Sequence, residues 1–125
     1  MEKRRFVRLN KMIEVACKEI IDKYANPVIP PSVLYTQNIS GGGLLLFSPK
    51  YMEKDTRLEF TIVLPDNKRG IDAVGKVLGS SEYNVEGIKQ YRIKVNFTEI
   101  NENDRDRLIK YILREDIRVN RNKKK

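Results

Sequence analysis

Gln37-Asn38-Ile39-Ser40-Gly41-Gly42-Gly43-Leu44-Leu45-Leu46-Phe47 changes character at its middle: polar residues, three glycines, then an apolar run. Consecutive glycines lose much conformational freedom on folding. A folded domain keeps such a run where the backbone needs φ > 0, or where something approaches the main chain closely. Asn38 and Ser40 carry side chains that hydrogen-bond nearby backbone and shape turns. The apolar run reads as a buried strand. A glycine-lined concavity at the mouth of a strand follows, with an amide and a hydroxyl beside it. Alone, three glycines also fit a plain turn between strands, so the rest of the chain has to decide.

Working outward, apolar residues alternate on both sides of this stretch. Upstream, Ser32 to Gln37 places Val33 and Tyr35 on one face, and Met12 to Cys17 sets Ile13, Val15 and Cys17 against polar neighbours. Ile20 to Tyr24 either extends that strand or forms an edge, and the prolines at 27, 30 and 31 mark a loop. Downstream, Leu58, Phe60, Ile62 and Leu64 alternate, as do Ile71, Ala73, Gly75 and Val77, and then Tyr91, Ile93, Val95 and Phe97. This period of two is the signature of half-buried strands. Gly75 within a strand predicts a bend or a close approach of another backbone. Gly79 to Gly87 reads as a polar loop. The spacing predicts an all-β-dominated fold, a small six-stranded antiparallel β-barrel, whose closure removes exposed edges. Asn101-Glu102-Asn103-Asp104 predicts a helix start, since asparagine caps and early acids suit the positive end of the dipole. Leu108, Ile109, Ile112 and Leu113, extended by Ile117, form the stripe that packs this C-terminal α-helix on the barrel.

The 125 residues suit one domain with one core. The single cysteine, Cys17, excludes an internal disulfide framework and reads as a core residue, and the absence of histidine removes the commonest metal ligand and acid–base group. No apolar run approaches the length of a membrane span, and the charged start lacks a secretory leader, so the expected location is cytoplasmic. The net charge is +8, carried as +4 on residues 1–11 and +4 on residues 114–125 around a neutral body. We therefore divide the chain into a flexible arginine-rich arm (1–11), a barrel with its helix (12–119) and a basic disordered tail (120–125). Cationic ends fit anionic partners better than a uniformly basic face would.

The arm contains Lys3-Arg4-Arg5-Phe6-Val7-Arg8, with Phe6 as an anchor among arginines. Arg4-x-x-x-Arg8, with Arg5 filling the extra position, followed later by Asn38-x-Ser40-x-x-Gly43, resembles the signature of the PilZ domain family. The resemblance extends loosely through Val74-Gly75-Lys76-Val77 and Tyr91 to Phe97. It implies a bacterial receptor or adaptor for the second messenger cyclic di-GMP, acting on a downstream protein in motility, adhesion or exopolysaccharide control, as a monomer or weak dimer. Arg4 and Arg8 would serve guanine edges and phosphates, since an arginine fork matches O6 and N7 and each such pair contributes about 1–3 kcal/mol of discrimination. Arg5 would be an adjacent phosphate or stacking contact. Asn38 stands where the family often has aspartate, and an amide cannot take a guanine N1–H/N2–H edge bidentately as a carboxylate can. Ser40 would bond a base or phosphate, or hold the turn, and Gly43 would admit the ligand against the backbone. Arg92, on the polar face of its strand, is a weaker candidate for the ligand and reads better as a solvated strand residue. A sequence-tolerant RNA- or DNA-binding barrel and a protein–protein module without nucleotide remain the competing readings. An enzyme is disfavoured, because no nucleophile–base pair, metal cluster or Gly-x-x-x-x-Gly-Lys loop is present.

Overall fold

The computed structural model describes residues 6–66 and 68–123, with side chains through 118 in the last helix. Six strands, β1 (Glu14–Ile21), β2 (Ser32–Ile39), β3 (Gly43–Ser48), β4 (Arg57–Val63), β5 (Ile71–Val85) and β6 (Ile88–Ile100), precede one helix, α1 (Glu102–Lys123). All neighbours pair antiparallel, and the order β1-β2-β3-β6-β5-β4 closes through the β1–β4 ladder. The expected barrel with a C-terminal helix is the fold observed.

Alternation fills the interior. Val15 and Cys17, Leu34 and Thr36, Leu44 and Leu46, Leu58, Phe60 and Ile62, Ile71 and Ala73, and Ile93, Val95 and Phe97 are all buried. Val33 and Tyr35 share one face as expected, and it is the outer one. Cys17 lies in this core, and burial pushes its thiol up to about 12, so it stays protonated. Gly75 sits at a register shift, where a Cβ would press on Val95 Cγ1 at 2.5 Å and on the Asn96 carbonyl at 3.1 Å. Close approach is thus the reason for that glycine.

Three expectations need correction. Gly79 to Gly87 is not a loop. β5 runs to Val85 and β6 begins at Ile88, so both form a ribbon paired down to Val85↔Ile88. Glu86 (φ 49°) and Gly87 (φ 83°) make the two-residue turn, the left-handed pair that a tight hairpin requires. Its residues are polar because both ribbon faces meet solvent. The helical stripe is also narrower than its sequence implied: Leu108, Tyr111 and Ile112 are buried, whereas Leu113 and Ile117 are exposed. Finally, helical backbone continues to Lys123, beyond the boundary drawn at 119.

Helix α1 begins where expected. The Asn101 side-chain carbonyl accepts the backbone N–H of Asn103 (2.8 Å) and Asp104 (3.3 Å), satisfying donors that have no partner inside the helix. The buried Asp104 carboxylate meets Arg69 at 3.0 Å, and Arg107 bonds the Arg69 carbonyl. These contacts fix the helix start against the β4–β5 connection, and Arg105, donating to the Gly41 carbonyl, fixes it against the Ser40–Gly43 turn.

Candidate functional site

The arm is held on the barrel where its sequence becomes apolar. Leu9 is buried, and it exchanges two backbone hydrogen bonds with Ile39, from Leu9 N–H at 2.8 Å and from Ile39 N–H at 3.0 Å. Thr36 extends the seam. Its hydroxyl donates to the Lys11 carbonyl (2.7 Å) and accepts the Ile13 N–H (2.9 Å). Lys11 Nζ then reaches helix α1, donating to Tyr111 Oη (3.0 Å) and to Glu115 (3.2 Å). The bond to Tyr111 is the main cause holding the Lys11 ammonium above its usual range. Residues 9–13 are therefore tied in place, unlike the loosely held arm expected over 1–11. Arg4 and Arg5 lie outside the described residues.

Pairing Leu9 with Ile39 sets Arg8 beside the Asn38–Gly43 stretch. Arg8, Asn38, Ser40 and Gly43 line one surface concavity of about 610 Å3, together with Phe6, Gly42, Leu45, Leu78, Lys94, Asn96 and Arg105. Four of the six candidate residues thus share a wall, although some thirty positions separate Arg8 from Asn38. The charged side chains in that wall, among the described residues, are Arg8, Lys94 and Arg105, all cationic, with no carboxylate. Arg8 is exposed and has no acidic partner among the described residues. Such a hollow concentrates positive potential and favours a compact anion.

The glycines act through contact rather than through left-handed backbone, since none of Gly41, Gly42 and Gly43 has positive φ. A Cβ on Gly41 would press on the Phe6 ring and on Ile109 Cγ1, both at 2.8 Å, and one on Gly42 would meet Phe6 at 3.1 Å. A Cβ on Gly43 would overlap the Val95 carbonyl oxygen across the β3–β6 ladder. Gly43 thus permits strand packing as well as lining the hollow. Phe6 takes the anchoring place expected of it, lying on the two preceding glycines. The Ser40 hydroxyl holds the turn, accepting Gly42 N–H at 3.2 Å and donating to the Gly43 carbonyl at 3.3 Å. The Asn38 amide makes no hydrogen bond among the described residues and borders the hollow.

Arg92 is not a freely solvated residue. Its Nε donates to Gln37 Oε1 at 2.7 Å, and its guanidinium lies over the Tyr83 ring at 4.1 Å from the centroid. It lies outside the hollow. Lys94, Asn96 and Arg105 were not singled out from the sequence. Alternation along β6 puts Lys94 outside, but only the pairing Leu45↔Lys94 puts it beside the glycines. Arg105 comes from the helix, whose docking site no local pattern reveals. Among the described residues no group of three or more acidic, cysteine or histidine side chains could hold a metal, and no helix is long and apolar enough to cross a membrane.

A family model for the PilZ domain matches residues 2–114. No curated protein matches the chain by sequence. Among solved structures, the Bacillus subtilis inhibitor of motility MotI/DgrA superposes with a TM-score of 0.71 at 20% identity, covering 94% of this chain and 53% of its own. The PilZ domain of YcgR from Escherichia coli, solved with c-di-GMP, gives 0.62 at 14% identity, covering 91% and 94%. The K. pneumonia MrkH–c-di-GMP complex gives 0.69 at 20% identity, covering 100% and 57%. The chain spans just over half the length of MotI/DgrA and MrkH, and nearly all of the YcgR domain. At these identities the likeness is one of fold.

Proposed function

The chain belongs to the PilZ domain family, and on that footing we propose that it is a non-enzymatic, cytoplasmic receptor for cyclic di-GMP. One observation carries the reading: Arg8 and the pair Asn38 and Ser40, distant from it in sequence, border a single hollow whose charged lining side chains among the described residues are all cationic. Two of the structures of like fold, YcgR and MrkH, are described as holding c-di-GMP.

The ligand carries two phosphates and two guanines. Arg8, with no acidic partner among the described residues, offers a planar fork for a guanine O6/N7 edge or a phosphate. Lys94 supplies a point charge, and the Asn38 amide supplies an acceptor for a base N–H. The Ser40 hydroxyl sustains the turn that presents the Gly42 and Gly43 backbone. Arg4 and Arg5, adjacent to this wall in sequence, complete the clamp in our reading. Phosphate charge then draws the arginine-rich segment over the hollow, and the ordered segment presents a surface to a downstream protein. Motility, adhesion or exopolysaccharide output is the process we assign to it.

Isothermal titration with cyclic di-GMP, with GTP and cyclic di-AMP as controls, tests the proposal. We expect heat with cyclic di-GMP alone, and an affinity that falls roughly ten- to a hundred-fold in Arg8→Ala, the loss of one bidentate contact. Absence of heat with the wild-type protein would refute it. Salt separates it from nucleic-acid binding, because a ligand with two phosphates gives a shallow dependence and a long polyanion a steep one.

A further inference from the structure

The geometry points to Arg105, on helix α1, as a ligand-binding residue of the same hollow, so that the helix is part of the nucleotide site rather than only a brace for the barrel. This rests on the receptor reading above and concerns a residue outside both signature segments.

Arg105 borders the hollow, and its side chain is 23% exposed. Its position is set twice. Its backbone N–H makes the first bond of the helix, to the Asn101 carbonyl (2.9 Å), and its Nη1 donates to the Gly41 carbonyl (2.6 Å). The guanidinium carbon lies 5.8 Å from the Phe6 ring centroid. A guanidinium has five N–H donors, and the Gly41 bond is the one hydrogen bond the Arg105 side chain makes among the described residues. Its Nε is buried without a hydrogen-bond partner. The Glu102 carboxylate stands 3.5 Å from that Nε, but it is 81% exposed and largely hydrated, so it neutralises little of the charge. Its Nε side turns to Glu102 and a second hollow that Glu59, Asp72 and Glu99 also line. Arg105 borders the first hollow as well, where no described lining residue is acidic, and the Nη N–H groups left over from the Gly41 bond form the preorganised cationic fork that an anionic ligand needs.

The Gly41 contact also gives the position a consequence. Arg105 joins the glycine turn to α1, so a phosphate that engages it acts on the turn and the helix together.

The test has two arms. Titration compares cyclic di-GMP binding to wild type, Arg105→Lys and Arg105→Gln, with thermal unfolding of each variant to show that it is folded. We expect Kd to rise about ten- to a hundred-fold in Arg105→Gln, and less in Arg105→Lys, which keeps the charge and loses the fork. The second arm follows the arginine Nε–Hε resonances of wild-type protein by NMR, with the Arg105 signal assigned as the one missing from Arg105→Lys. It should move on adding cyclic di-GMP, a change that a purely structural arginine would not show. Wild-type binding with an unmoved Arg105 resonance overturns this inference and leaves the receptor reading standing, even if the glutamine variant unfolds. Unchanged affinity in a folded Arg105→Gln does the same. No binding by the wild-type protein overturns both.

Discussion

Gly43 illustrates how one atom decides an outcome at the residue scale. An added methyl would run into the Val95 carbonyl, and two hydrogen-bonded strands cannot part to admit it without losing ladder bonds. Gly43→Ala should cost about 1–3 kcal/mol, read as a lower urea midpoint with an unchanged slope. Gly79, where a Cβ would meet nothing within 4 Å, is the matched control, and its alanine variant should fall within about 0.5 kcal/mol of wild type. Both residues are simply glycine in the sequence, and only the register of β3 on β6 tells them apart. The same holds for the site. Arg8, Asn38 and Ser40 were legible because their spacing resembles a family signature. Lys94 and Arg105 were not, because a lysine on an alternating strand and an arginine in the first turn of a helix fit any solvated surface until tertiary pairing fixes their neighbours.

At the scale of elements, the seam between residues 9–13 and β2 does most to build the hollow. Leu9 supplies both its backbone bridge to Ile39 and a buried side chain. Leu9→Ala should destabilise the domain by about 2 kcal/mol and also weaken nucleotide binding, because Arg8 takes its position from its neighbour. Peptides covering residues 1–11 should gain protection from hydrogen exchange on adding cyclic di-GMP; unaltered exchange there would refute closure of the arm. The strands were readable wherever one face is core and the other solvent, as in β4 and β6, since alternation is what a half-buried strand imprints. The β5–β6 ribbon escaped notice for the opposite reason. With water on both faces it carries no alternation, and its turn, Glu86-Gly87, lacks the Asn-Gly or Asp-Gly pair that usually announces a hairpin. The helix start was legible in Asn101, and the burial of Tyr111 in place of Leu113 was not, because the rotation of a helix depends on what it docks against.

On the scale of the whole molecule, acid should loosen the tie between arm and helix. Glu115 is held below the usual carboxylate range, first by its bond to Arg118 and also by Lys11. A carboxyl with a depressed folded value contributes stability above its unfolded value of 4.5 and loses it as the pH falls through the folded value. Glu115→Gln should therefore show a shallower loss of stability below about pH 4.5 than wild type, measured by urea unfolding across the acid range. Lys11 has the opposite sign, with its contribution lost only in strong alkali, above 10.5. The barrel's circular order adds a topological corollary. The ribbon tip, Glu86-Gly87, is exposed, and the strands it joins are each stitched to another neighbour, β5 to β4 and β6 to β3. Severing the chain at that tip would leave two pieces, neither with enough strands to close the ring alone, whose loose margins match each other along a dozen registered pairs. Expressed as separate polypeptides, 1–86 and 87–125 should find each other and rebuild the ring, which would make this protein a splittable reporter in which reassembly restores the hollow.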